Sequence, residues 1–156
     1  MPADRIERQI DIDAPIDIVG RVITEPEHIT GWFTDTIELD VEPAARGRFG
    51  WEREPASCSV AVNVCVERVD PPTFFSFRWN YPDGSEPSEE NAPLVEFSLE
   101  PRGDTTRVHL VESGIASLLR PEEEKDRYHA DHSNGWDTIG ERLRTYAAEQ
   151  RGVAAG

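Results

Sequence analysis

The chain has 156 residues, enough for one domain that buries about 68–70% of the surface its unfolded form exposes. With 37% hydrophobic and 30% charged residues, its composition is ordinary for a soluble globular protein. The formal net charge of −15 repels phosphate backbones and anionic lipid headgroups, which excludes nucleic acid and membrane surfaces as partners.

Ile6, Ile10, Ile12 and Ala14 alternate with Glu7, Gln9, Asp11 and Asp13, the pattern of a half-buried first strand with Arg8 as its one exception. Pro15 suits the first turn of a helix and Asp17 its positive end, with Ile16, Val19, Gly20 and Ile23 on the apolar face. Pro26-Glu27 opens a second short helix, on which Ile29, Trp32 and Phe33 are the buried candidates. Both helices are too short to stand alone and must lean on a sheet.

Strands then follow in a row. Ile37, Leu39 and Val41 alternate with acidic residues, and a turn around Arg46-Gly47 leads to Phe49 and Trp51. Val60, Val62, Val64 and Val66 share one face of the next strand, and Ala61, Asn63, Cys65 and Glu67 the other. Asp70-Pro71-Pro72 breaks the ladder, because proline donates no hydrogen bond. Phe75, Phe77 and Trp79 line a face of the fifth strand, and a Pro-, Ser- and Glu-rich loop spans Tyr81 to Pro93. Val95, Phe97 and Leu99 form the sixth strand, Arg102-Gly103-Asp104 a hairpin turn, and Thr106, Val108, Leu110 and Glu112 share a face of the seventh.

The last third reads as one long helix from about Glu122 to Glu149. Tyr128, His132, Trp136, Ile139, Leu143 and Tyr146 recur at steps of four, four, three, four and three, a single helical stripe. Gly135 suggests a close approach of this helix to the sheet, and the residues from Gly152 to Gly156 read as a loose tail. The order β-α-α-β-β-β-β-β-β-α, joined mostly by hairpins, predicts an α+β fold with an antiparallel sheet of about seven strands.

The N-terminus has no basic flank with an apolar run, and no segment reaches about 18 apolar residues, so neither a signal peptide nor a membrane span is expected. Cys58 and Cys65 fall on one predicted strand, roughly 23 Å apart at about 3.3 Å per residue, and point to opposite faces. They cannot bridge each other, and free thiols without a leader predict a cytoplasmic protein.

Several strings carry a resemblance. Ile10-Asp11-Ile12-Asp13-Ala14-Pro15, Trp32-Phe33, Glu67-Arg68-Val69-Asp70-Pro71-Pro72, Phe77-Arg78-Trp79, Thr106-Arg107-Val108-His109-Leu110, Glu112-Ser113-Gly114 and Gly135-Trp136 occur in that order. Over roughly residues 6 to 149 the chain resembles the family of the C-terminal domain of the heat-shock chaperone ATPase activator. That family lies within the START/SRPBCC superfamily. The resemblance implies the birch-pollen-allergen-like helix grip, a curved sheet wrapped around the C-terminal helix, as a single domain over 1–156. The superfamily holds hydrophobic-ligand carriers, polyketide cyclases and domains with no known ligand, so fold alone does not choose a function. The activator's own role is not carried over, since the sequence shows no counterpart of its additional N-terminal domain.

Glu112 shares a strand face with Val108 and Leu110, where a carboxylate is costly unless partnered. It is either a polar anchor or general acid/base inside a cavity, or, more simply, a solvated residue beyond a strand end at Leu110. His132 faces the sheet by helix periodicity and could meet a ligand or Glu112, although a satisfied core histidine is the simpler reading. Asp126, His129 and His132 form a D-x-x-H-x-x-H run whose side chains spiral around the helix, so no metal is expected. No nucleophile elbow or phosphate loop is present, and no catalytic residue or cofactor is assigned. Trp32, Phe49, Trp51, Phe75, Phe77, Trp79 and Trp136 supply an aromatic wall for a cavity, or simply a core.

The expected function is binding of a small hydrophobic or amphipathic molecule between the C-terminal helix and the sheet, by a monomer or homodimer. The ligand-binding set is Trp32, Phe49, Trp51, Phe75, Phe77, Trp79, Glu112, Tyr128, His132 and Trp136. One alternative is an enzyme of the cyclase or hydrolase type using Glu112 and His132, which their approach within hydrogen-bond reach would favour. Another is a co-chaperone-like interaction domain, which a filled interior with an exposed apolar patch would favour.

Overall fold

The computed structural model describes residues 4–52, 59–80, 87–88 and 91–155. In chain order these form β1 (Ile6–Ile12), α1 (Ile16–Thr24), α2 (Pro26–Trp32), β2 (Thr36–Glu38), β3 (Arg46–Trp51), β4 (Val60–Asp70), β5 (Phe74–Asn80), β6 (Leu94–Arg102), β7 (Thr105–Ser113) and α3 (Glu122–Ala155). The strands make one antiparallel sheet in the order β1-β7-β6-β5-β4-β3-β2. The expected α+β helix-grip architecture is present, with two short helices early and a long helix last.

Local chemistry explains most of the elements. Pro15 caps α1 and Pro26 opens α2, and each helix buries one apolar face: Val19, Val22 and Ile23 on the first, Ile29 and Trp32 on the second. The indole of Trp32 donates to the carbonyl of Val22 at 2.9 Å and ties the two helices together. At the tip of the β6–β7 hairpin Gly103 takes a φ of 66°, the left-handed conformation that glycine adopts without strain. Gly114, at 88°, turns the chain away after β7.

Four expectations change. Arg46-Gly47 is not a turn but the start of β3, and β2 stops at Glu38 rather than running on to Val41. The reason is a local docking: Ala44 donates to Val66 at 2.9 Å and Val66 to Ala45 at 2.8 Å, so β4 holds the connection in place of a longer hairpin. Gly47 then passes so near the Glu38 carbonyl that no Cβ would fit. The final helix continues past Glu149 to Ala155, through most of the segment read as a tail. Gly135 does not mediate a close helix–sheet contact either; at Gly140, by contrast, a Cβ would come within 3.2 Å of Ile10 on β1.

Cys65 is a partly buried free thiol on β4. Cys58 lies outside the described residues, and so do most residues of the Pro-, Ser- and Glu-rich loop from Tyr81 to Pro93, Asp83 and Glu90 among them.

The core is aromatic and filled at its centre. Phe33, delivered by the end of α2, lies 5.2 Å from Phe49, 5.7 Å from Trp79 and 5.5 Å from Trp136 between ring centroids. Phe75 stacks on Phe97 at 6.3 Å, and Phe77 meets Phe49 edge-on at 5.3 Å. These separations suit offset and T-shaped aromatic packing and leave no ligand-sized gap among them.

Candidate functional site: a caged carboxylate behind an aromatic groove

The centre of interest is Glu112. Strand parity on β7 places Thr106, Val108, Leu110 and Glu112 on the inner face, and all four are buried, Glu112 to 0% exposure. The rim reading fails because β7 does not end at Leu110. Glu112 pairs with Ile6 of β1 on one side and Val95 of β6 on the other, so its backbone is held in mid-sheet.

Four side chains close on the carboxylate. Trp79 Nε1 donates to Oε2 at 2.7 Å and Tyr128 Oη to the same oxygen at 2.5 Å. His132 Nδ1 and Trp136 Nε1 each donate to Oε1 at 2.9 Å. Three of these donors come from α3, where steps of four bring residues 128, 132 and 136 onto one face above β7. The fourth comes from β5. A carboxylate has about four lone-pair sites, so this one is saturated.

Burial alone would raise the Glu112 pKa. The positive charge and hydrogen bond of His132, followed by the donors Tyr128 and Trp136, overcome it and leave the group below the usual glutamate value. The Tyr128 hydroxyl moves the other way, well above its ordinary value, because burial and the adjacent Glu112 charge both disfavour a phenolate. The ionised carboxylate accepts, so Nδ1 of His132 carries the proton. The His132 ring stacks on Tyr128 at 3.8 Å and meets Trp79 edge-on at 5.3 Å. Its orientation is therefore fixed on every side that these groups occupy.

In front of the cage lies a groove of about 280 Å³. Trp51, Val60 and Trp79 form its sheet wall, while Asp131, His132, Gly135, Trp136 and Ile139 of α3 form the other. Trp51 is held in place by its indole, which donates to the Phe33 carbonyl at 2.9 Å. The groove is apolar along Trp51, Trp136 and Ile139 and carries its polarity at Asp131 and His132.

The expected site residues thus divide into three groups. Trp51, Trp79, His132 and Trp136 meet at the groove. Glu112 and Tyr128 sit directly behind it and do not reach the open space. Trp32, Phe49, Phe75 and Phe77 lie in the packed core, away from the groove. Sequence reasoning did not place Val60, Asp131, Gly135 and Ile139 at the site, although Ile139 lies on the helical stripe itself. Val60 was in reach through its shared parity with Val62 and Val64, and Asp131 and Gly135 through the i, i+4 relation beside the stripe. His129 and His132 diverge, the former towards the Arg5 carbonyl at 3.1 Å and the latter towards Glu112.

Family comparison converges with the fold. The model described as "Activator of Hsp90 ATPase homolog 1-like protein" matches residues 13–148. The chain belongs to this family. Membership and fold together place it in the START/SRPBCC superfamily. Similar solved structures include protein MLL2253 from Mesorhizobium loti, at 20% identity and TM-score 0.72, covering 91% of this chain and 95% of that one. DynU16, described as a putative protein in the dynemicin biosynthetic locus, is 22% identical at TM-score 0.74; 96% of this chain aligns with 49% of its length. The Aha1 dimer from Colwellia psychrerythraea is 15% identical at TM-score 0.69, with 91% and 94% coverage. At such identities the likeness is one of fold. No curated protein sequence matches the chain. Among the described residues, no helix of this family member is long and apolar enough to cross a membrane.

Proposed function

We propose that this activator-like family member binds a small hydrophobic or amphipathic molecule in the groove between α3 and the β3–β5 wall, without transforming it, in the cytoplasm. The observation that carries the reading is the groove itself: three tryptophans and Ile139 facing an open space of about 280 Å³. That volume lies near the lower edge of small-molecule pockets, roughly 300 Å³. The caged carboxylate supports a binding role. Glu112 is saturated by four donors and has no lone pair left to take a proton from a ligand, so its work is to fix Trp79, His132 and Trp136 at the groove wall. An apolar docking face receives little support, because Leu119 is the only large exposed hydrophobic among the described residues.

One observation favours a catalytic reading. Glu112 and His132 approach to 2.9 Å, the contact by which a carboxylate orients a histidine for acid–base work at its other nitrogen. In that reading His132 acts on the bound molecule and Glu112 remains a positioning residue.

Titration with the apolar fluorophore N-phenyl-1-naphthylamine tests the binding reading. Saturable binding that weakens in Trp51→Ala is expected, and no binding by the native protein would overturn it. Native mass spectrometry separates the two readings. The same co-purifying mass in wild type and His132→Gln indicates a carrier, whereas a different mass held by the variant indicates chemistry at His132.

A further inference from the structure

Each interior glycine of the helices answers to a neighbour, with one exception. A Cβ on Gly20 would meet Pro72 at 2.7 Å, and one on Gly140 would meet Ile10 at 3.2 Å, so packing accounts for both. A Cβ on Gly135 would meet nothing within 4 Å. Gly152 is similarly open but lies in the last turn of α3, away from the groove. Gly135 stands in the middle of a 34-residue helix, where glycine weakens the helix relative to alanine and no left-handed φ requires it.

The helix is also reinforced at this point. Arg8, the residue that breaks the alternation of β1, donates to the Ser133 carbonyl at 3.1 Å and to the Asp137 carboxylate at 2.7 Å. These contacts bracket Gly135 and keep α3 docked where its own propensity is lowest. The open space beside Gly135 is the groove, which it lines together with Trp51, Trp136 and Ile139.

We propose that Gly135 is a specificity-determining residue: the missing side chain sets the depth of the groove and therefore the size of molecule it admits. This rests on the binding reading given above. A methyl group here takes space from a ligand without touching the protein, and an isobutyl group fills the floor of the groove.

The test compares wild type, Gly135→Ala and Gly135→Leu for affinity towards indole, a small apolar ring, and N-phenyl-1-naphthylamine, a larger one. Thr138→Leu, on the exposed side of the same helix, is the control. Affinity for the larger probe should fall about tenfold or more in Gly135→Leu and by less in Gly135→Ala. Indole should lose less, so the ratio of the two affinities changes, and Thr138→Leu should bind as wild type does. Wild type binding with an unchanged ratio in Gly135→Ala and Gly135→Leu would overturn the role of Gly135 alone. Absence of binding by wild type to either probe would overturn the binding reading and this proposal together. Should the leucine variant not fold, the alanine variant decides: an unchanged ratio there overturns the proposal.

Discussion

At the scale of the residue, Glu112 links stability to the groove. Its four partners are all donors, so an amide in its place would turn its own N–H₂ towards two of them. Glu112→Gln should therefore destabilise by about 3–5 kcal/mol, the usual cost of removing one member of a buried ion pair. Urea denaturation measures it, and a loss below about 1 kcal/mol would mean the cage does not hold the fold. The depressed pKa adds a pH signature. Below the ordinary value of 4.5 the unfolded chain takes up the Glu112 proton before the folded protein does. Stability from this group is then fully present above that value and is lost as pH falls through the lower folded one. Wild type should lose stability in that acid window more steeply than Glu112→Gln, and parallel profiles would show that Glu112 titrates normally. Asp11, lowered chiefly by its hydrogen bond to Arg107, changes in the same direction in both proteins and cancels in the comparison.

At the scale of the element, α3 carries substitutions of opposite sign. Trp136 is buried against Phe33, Trp79 and Phe97 and donates to Glu112, so Trp136→Ala should cost about 3–5 kcal/mol. An unchanged melting temperature would show the stripe facing solvent. Gly135→Ala should stabilise by about 0.5–1 kcal/mol, since it removes a helix-weakening glycine and meets no neighbour. Gly140→Leu should instead destabilise by about 1–3 kcal/mol, because Ile10 already occupies the space. Thermal denaturation of the three variants checks the pattern. A destabilised Gly135→Ala would place that residue against the sheet after all.

At the scale of the whole molecule, a net charge of −15 on 156 residues makes self-repulsion a global property. Exposed pairs such as Arg151–Asp13 at 2.7 Å and Arg107–Asp11 at 2.8 Å offset little of it, because solvent screens them and holding two long side chains in one geometry costs entropy. Raising NaCl from low ionic strength should therefore raise the melting temperature, as the Debye length shrinks to about 10 Å at 0.1 M. A fall would mean that ion pairs outweigh repulsion. The same field favours neutral or cationic molecules over anionic ones at the groove, where Asp131 sits on the rim.

The sequence by itself determined the elements, their order and which faces turn inward, because those follow from periods of two and of about 3.6 that each segment carries internally. Parity alone put Glu112 beside Leu110, and the helical stripe alone put Tyr128, His132 and Trp136 on one face. Only the tertiary structure decided that these two surfaces meet on a single carboxylate with Trp79 as the fourth donor. That meeting depends on sheet curvature and on how α3 crosses it, which no local window encodes. The same holds for the space between them. Whether seven aromatic residues leave a cavity or fill it turns on where Phe33 enters, and it enters from a short helix early in the chain, about a hundred residues before Trp136. It fills the centre, so the open volume remains at one end, over a glycine whose lack of a side chain reads the same in sequence whether it serves packing or a ligand.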